Sequence, residues 1–156
     1  MGTKTRILSG AILCGAALGM AIAASHAASH QAQGAEEPLP AFHNEAPKGQ
    51  LPETLEPSQF TNVVVQNAYS IAAHVKKILY QQPCYCHCDR SHGHGSLLDC
   101  FAGKHASVCE ICIREGLYSY EQSHKGKTAV QIRAGIERGE WRDVDVSRYG
   151  TPVAAK

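Results

Sequence analysis

From position 58 onward, apolar residues return every three or four positions. Phe60, Val63/Val64, Ala68, Ile71/Ala72, Val75 and Ile78/Leu79 fall on one side of a 3.6-residue period, with Asn67, Ser70, His74, Lys77 and Gln81 opposite. The pattern predicts an amphipathic helix with Ser58 as its N-cap, directly after Pro57, running until Pro83 ends it. The β-branched run at 63–65 weakens local helix propensity, but the length of the pattern outweighs it. Residues 83–95, dense in Cys, His and Gly, predict a loop. Ser96-Leu97-Leu98-Asp99 has the capping-box form and opens a short helix that Gly103 breaks. A further helix is expected over about 106–123, burying Cys109, Cys112/Ile113, Gly116/Leu117 and Tyr120 and exposing the Glu110/Arg114 pair. Gly126 stops it. Thr128 with Gln131 then starts a last helix, with Ala129, Ile132 and Ile136 inward and Gly139 at its end. Trp141 and Tyr149 are expected to fold back on the core. No stretch alternates with the period of a strand, so the fold class is all-α: a small three- to four-helix domain over residues 58–150.

The chain ahead of that domain reads differently. Residues 1–6 carry Lys4 and Arg6, residues 7–24 are apolar and uncharged, and small residues follow at Ala23, Ala24, Ala27 and Ala28. This predicts a secretory signal peptide over residues 1–27, and hence a periplasmic or extracellular protein; an uncleaved N-terminal membrane anchor is the alternative. Leu13 before Cys14 argues against a lipoprotein site. Residues 28–57 hold five of the seven prolines and few large apolar groups, which predicts a disordered linker without a fold of its own. Beyond the signal, 13 Lys/Arg (15 less Lys4 and Arg6) face 14 Asp/Glu, a formal charge of −1. That balance provides no footprint for nucleic acid or an anionic membrane surface.

Cysteine usage changes the picture most. Apart from Cys14, all of the seven cysteines lie between positions 84 and 112, joined there by His87, His92, His94 and His105. In Cys84-Tyr85-Cys86-His87-Cys88-Asp89 every second residue is a thiol, which in extended backbone places all three on one side. His105, Cys109 and Cys112, at i, i+4 and i+7, would share one stripe of a helix. Soft thiolates with imidazole select Cu(I) or Zn(II) over hard ions. Both methionines, Met1 and Met20, fall in the signal, which leaves out a thioether copper site. In an oxidising compartment an even number of cysteines is also the signature of disulfides, so three disulfides stapling a small core remain the chief alternative, and thiol redox chemistry at Cys109-Glu110-Ile111-Cys112 a third.

The run Pro83-Cys84-Tyr85-Cys86-His87-Cys88 resembles the motif of the bacterial secreted proteins and lipoproteins named for a PCYCGC sequence. Ala68-Tyr69-Ser70-Ile71-Ala72, His94 before Ser96, Cys100-Phe101, His105 ahead of Cys109-x-x-Cys112, and Ile132-Arg133 extend the likeness over about residues 60–141. His87 departs from it, standing where the family has Gly. The resemblance implies an extracytoplasmic Cys/His domain that binds metal, and no particular reaction.

The expected ligands are Cys84, Cys86, Cys88, Cys100, Cys109, Cys112, His94 and His105, with His87 and His92 weaker and Asp89 and Asp99 as carboxylates that orient imidazoles. The expected function is metal binding, buffering or delivery of Cu(I) or Zn(II), with the metal ion and a metal-delivery or export protein as partners. No nucleic acid and no membrane insertion of the mature domain are expected. The thiol redox alternative lacks a βαβ context, and its cysteine pair would lie inside a helix rather than at its first turn. Ile113 occupies the position where a c-type haem site needs histidine. With no Ser/His/Asp triad, phosphate loop or paired carboxylates, no enzymatic activity is expected.

Overall fold

Asn62, not Ser58, opens the first helix. Its side-chain oxygen accepts from Val64 N at 2.9 Å and Val65 N at 3.3 Å, satisfying two of the amides that a helix start leaves free. Ser58 sits instead in a 3₁₀ turn, Pro57–Gln59. The computed structural model describes residues 37–151; the expected signal peptide and the first part of the expected linker lie outside the described residues.

Among the described residues there are six α-helices and no strand. They are α1 (Val63–His74), α2 (Lys76–Leu79), α3 (Cys88–His92), α4 (Leu97–Ala102), α5 (Glu110–His124) and α6 (Ala129–Glu137). The all-α expectation therefore holds, with two differences in detail. The helix expected to run unbroken to Pro83 breaks at Val75, whose ψ of 23° takes it out of helical register, and its amide turns to Ala72 O. The stretch expected to be loop holds α3. Both expected capping boxes are present: Thr128 and Gln131 exchange both hydrogen bonds of the box at the start of α6. At α4, Asp99 Oδ2 accepts from Gly95 N at 2.7 Å and Ser96 N at 3.2 Å.

The core lies between α1 and α5, with α4 closing one end. Tyr69 is fully buried there, donating its hydroxyl hydrogen to Gly103 O at 2.7 Å and accepting from Ser107 N at 3.1 Å. Gly116 lets α5 approach α4 closely, because a Cβ there would lie 2.7 Å from Phe101 Cζ. On α5, Tyr118 is buried and Tyr120 only partly so, the reverse emphasis from the periodic reading. Trp141 and Tyr149 do fold back onto the core, and Asn67 holds the returning chain by donating to Tyr149 O and Thr151 O, both at 2.7 Å.

The described part of the Pro-rich stretch makes contacts with the helices. Residues 37–56 form no helix or strand, yet they lie on the helical domain. Leu55 N donates to Phe101 O at 3.0 Å, Ala41 N to Asp89 Oδ2 at 3.2 Å, and Arg90 to Glu37 at 2.6 Å. His43 stacks on Tyr80 at 3.9 Å, the Arg133 guanidinium lies 4.3 Å over the Phe42 ring, and Pro40 is fully buried. Scattered apolar anchors, each seated on the domain, supply the burial that the segment lacks within itself.

Candidate metal centre

A turn and a left-handed residue, rather than an extended strand, aim the first three thiols. His87 N donates to Cys84 O at 3.0 Å, closing a turn that brings Cys84 Sγ within 3.3 Å of Cys86 Sγ. His87 then adopts φ 56° and ψ 35°, the only non-glycine residue with positive φ among the described residues. This reverses the chain into α3, so that Cys88 reaches Cys100, 3.3 Å away, and with it forms a group that includes Cys84. The three thiols therefore gather as expected, but through a turn and a chain reversal and not along an extended loop.

The downstream ligands are also brought together differently than expected. His105 belongs to the 3₁₀ turn His105–Val108, and Cys109 is the extended N-cap of α5, with φ −124° and ψ 106°. They do not form one helical stripe. Cys112 lies in the first turn of α5, so the Cys109/Cys112 pair sits at a helix start and not inside it, which removes that argument against thiol reactivity.

The result is two adjoining groups. Cys86, His105, Cys109 and Cys112 have ligand atoms all within 4.8 Å of one another, and Cys84, Cys88 and Cys100 form a second such set, fully buried. His105 Nε2 lies 3.3 Å from Cys86 Sγ, and Cys112 Sγ lies 3.6 Å from the same sulfur. His94 reaches the second group through Nδ1, 3.3 Å from Cys100 Sγ. Cys84 Sγ stands 3.4 Å from Cys112 Sγ, linking the groups. All eight expected ligand residues thus converge, and all six thiols are free. Asp89 and Asp99 are corrected: their carboxylates accept backbone amides and orient no imidazole.

The thiols of the two groups differ in how readily they ionise. Burial raises the Cys109 thiol. Cys86 is driven down by proton sharing with Cys100, Cys112 and Cys84, while the same sharing with Cys112, Cys84 and Cys86 drives Cys100 up. The picture is one stabilised thiolate among thiols that hydrogen-bond sharing and burial keep protonated. His94 is shifted down by burial and by the neighbouring His105, which leaves its ring neutral and able to donate a lone pair.

The periodic reading missed Glu115. It is completely buried on α5, one turn beyond Cys112, and its Oε1 accepts from Tyr85 N at 2.9 Å. Oε2 is buried without a hydrogen-bond partner, and burial pushes the carboxyl up to about 8. Its three-residue spacing from Cys112 was the available signal, hidden by the usual preference of glutamate for solvent.

A family model described as "Protein of unknown function with PCYCGC motif" matches residues 11–152. No curated protein and no solved structure compared with the chain matches it. Residues 83–88 align with the motif in the family's description, whose fifth letter, glycine, falls on His87. The left-handed conformation there explains the glycine, since only glycine takes it without steric penalty.

Proposed function

The chain belongs to the family of proteins with a PCYCGC motif, and we propose that it is a non-enzymatic, extracytoplasmic metal-binding protein that holds Cu(I) or Zn(II) in its thiol/imidazole centre. The observation that carries this reading is the convergence of six free thiols and two imidazoles in two contiguous groups inside the core. Buried thiols gathered at this density are unfavourable to ionise one by one, and a soft cation is what compensates several thiolates together.

The dimensions are suitable. A tetrahedral ion with metal–sulfur distances of about 2.3 Å sets its sulfurs about 3.8 Å apart. Within the groups Cys86 and Cys112 stand 3.6 Å apart and Cys88 and Cys100 3.3 Å apart, and the other ligand atoms of each group lie within 4.8 Å of one another, close to that figure. Cys86, His105, Cys109 and Cys112 form a complete four-ligand set. Cys84, Cys88 and Cys100 provide three thiolates, and His94 provides a nitrogen at their edge. When bound, the metal supplies positive charge that holds the thiolates ionised. The protein supplies a preformed pocket with a buried and a half-exposed side.

A native mass spectrum of the protein, purified from its compartment without added metal or reductant, tests the reading. The expected mass exceeds that of the polypeptide by whole metal ions, lost on acidification, and a Cys84/Cys86/Cys88→Ser triple variant loses part of the complement. A mass lower by three pairs of hydrogens, with no adduct, would refute metal binding and assign the centre to disulfides.

A further inference from the structure

His92 has no part in either thiol group, yet it completes a cluster of three imidazoles at their surface. Its ring centroid lies 4.7 Å from that of His105 and 5.6 Å from that of His94, and the His94 and His105 centroids are 5.3 Å apart. His92 is the last residue of α3 and is exposed. Gly93, with φ 67°, turns the chain so that His92 and His94 face His105 together. His105 arrives from a separate element, the 3₁₀ turn His105–Val108.

Three imidazoles on one tetrahedral ion, with metal–nitrogen distances of about 2.0–2.1 Å, place their ring centroids about 5.2 Å apart. The observed separations bracket that figure. Two of the rings also touch the thiols: His94 Nδ1 contacts Cys100 in one group, and His105 Nε2 contacts Cys86 in the other. A neutral imidazole offers one lone pair, so His94 and His105 serve the surface cluster before they serve the thiol groups. The cluster therefore spans the distance from solvent to both sulfur groups.

We propose that His92, His94 and His105 form an uptake port for a borderline divalent cation such as Zn(II), which binds there weakly and passes inward to the thiolates. The proposal rests on the metal-binding reading above. Its chemistry is ligand exchange: imidazole nitrogens release the ion, thiolates take it, and each thiol that binds gives up its proton to solvent. Imidazole suits Zn(II), whereas the sulfurs hold it more firmly, so the ordering runs from the surface inward.

The test uses the full reduced, metal-free protein, with Zn(II) supplied from a chelator buffer in stopped flow and Co(II) as the spectroscopic probe. His92→Ala removes an exposed ring and leaves the core intact; His124→Ala, an exposed histidine at the end of α5, is the control. The wild type and the control are expected to load alike, through an early, weakly held ion that lacks sulfur-to-cobalt charge-transfer absorption before the thiols take it. His92→Ala is expected to retain the tightly held ions, lose the weak one and load at least about tenfold more slowly, the scale of loss that removing even an outer-shell partner brings. Equal loading rates for His92→Ala and wild type would overturn the port while leaving the thiol centre standing. Uptake of Cu(I) at the thiols with no weak divalent ion would overturn it too. A wild type that binds no metal overturns both readings.

Discussion

Glu115 places a pH-dependent term in the stability of the metal-free protein. Its carboxyl is fully buried, one oxygen lacks any hydrogen-bond partner, and it titrates at about 8 in place of the usual 4.5. The raised value means that the folded state favours the neutral acid. Its contribution is therefore fully present below pH 4.5 and is lost progressively as the pH rises towards 8. A difference of 3.5 units between those two values corresponds to about 5 kcal/mol in all, at about 1.4 kcal/mol per pH unit. Between pH 5 and pH 8 the expected loss is on the order of 3 kcal/mol. His94 works in the opposite sense, because its lowered pKa adds stability above its unfolded value of 6.5 and removes it as the pH falls. Comparing wild type with Glu115→Gln cancels that opposing effect. Urea unfolding of both proteins, reduced and with chelator present, at several pH values from 5 to 8 provides the measurement. The variant, unable to ionise, is expected to gain on wild type steadily with pH. Parallel stability profiles would show that Glu115 is not held neutral and would refute the argument from burial.

Three further outcomes follow from the same geometry. Gly116→Ala drives a methyl group to 2.7 Å from the Phe101 ring, and overpacking of this kind costs about 1–3 kcal/mol, measured as a lowered melting temperature. His87→Gly relieves a left-handed conformation costing about 1–2 kcal/mol and adds about 0.5–1 kcal/mol of chain entropy to the unfolded state, so the net gain is expected to be small. The 3.6 Å contact of His87 with Glu37 is too exposed to reverse that sign, and a destabilised variant with altered metal stoichiometry would instead make His87 a ligand. Metal loading at pH 7 is expected to release more than one proton per ion, because most of the thiols are protonated before binding; pH-stat titration reads the number directly.

Much of the helical framework was legible in the sequence because its signals are local. The three-to-four periodicity located α1 and α5, the Thr128/Gln131 box located α6, and Gly103, Gly126 and Gly139 punctuated the chain where expected. The crowding of Cys and His into one span likewise marked the centre before any geometry was known. Periodicity failed where a local choice depended on contacts made elsewhere. Asn62 and Ser58 are both acceptable caps, and the packing of α1 on α5 selects between them. The Pro-rich stretch has too little apolar surface to fold alone, and its described part instead packs Leu51 and Leu55 against the core and donates from Leu55 N to Phe101 O. The partition of the ligands was equally hidden. Spacing put Cys84, Cys86 and Cys88 in one set, whereas the left-handed His87 and the turn before it leave Cys84 and Cys88 with Cys100 and place Cys86 with His105, Cys109 and Cys112. Glu115 shows the same limit, since a glutamate one turn from a cysteine is ordinary until the tertiary fold buries it against the Tyr85 amide, between Cys84 and Cys86 in the chain. The sequence by itself determined the kinds of donor atom and the helices that carry them. The tertiary structure decided which donors meet, because that depends on backbone reversals and on packing between elements distant along the chain.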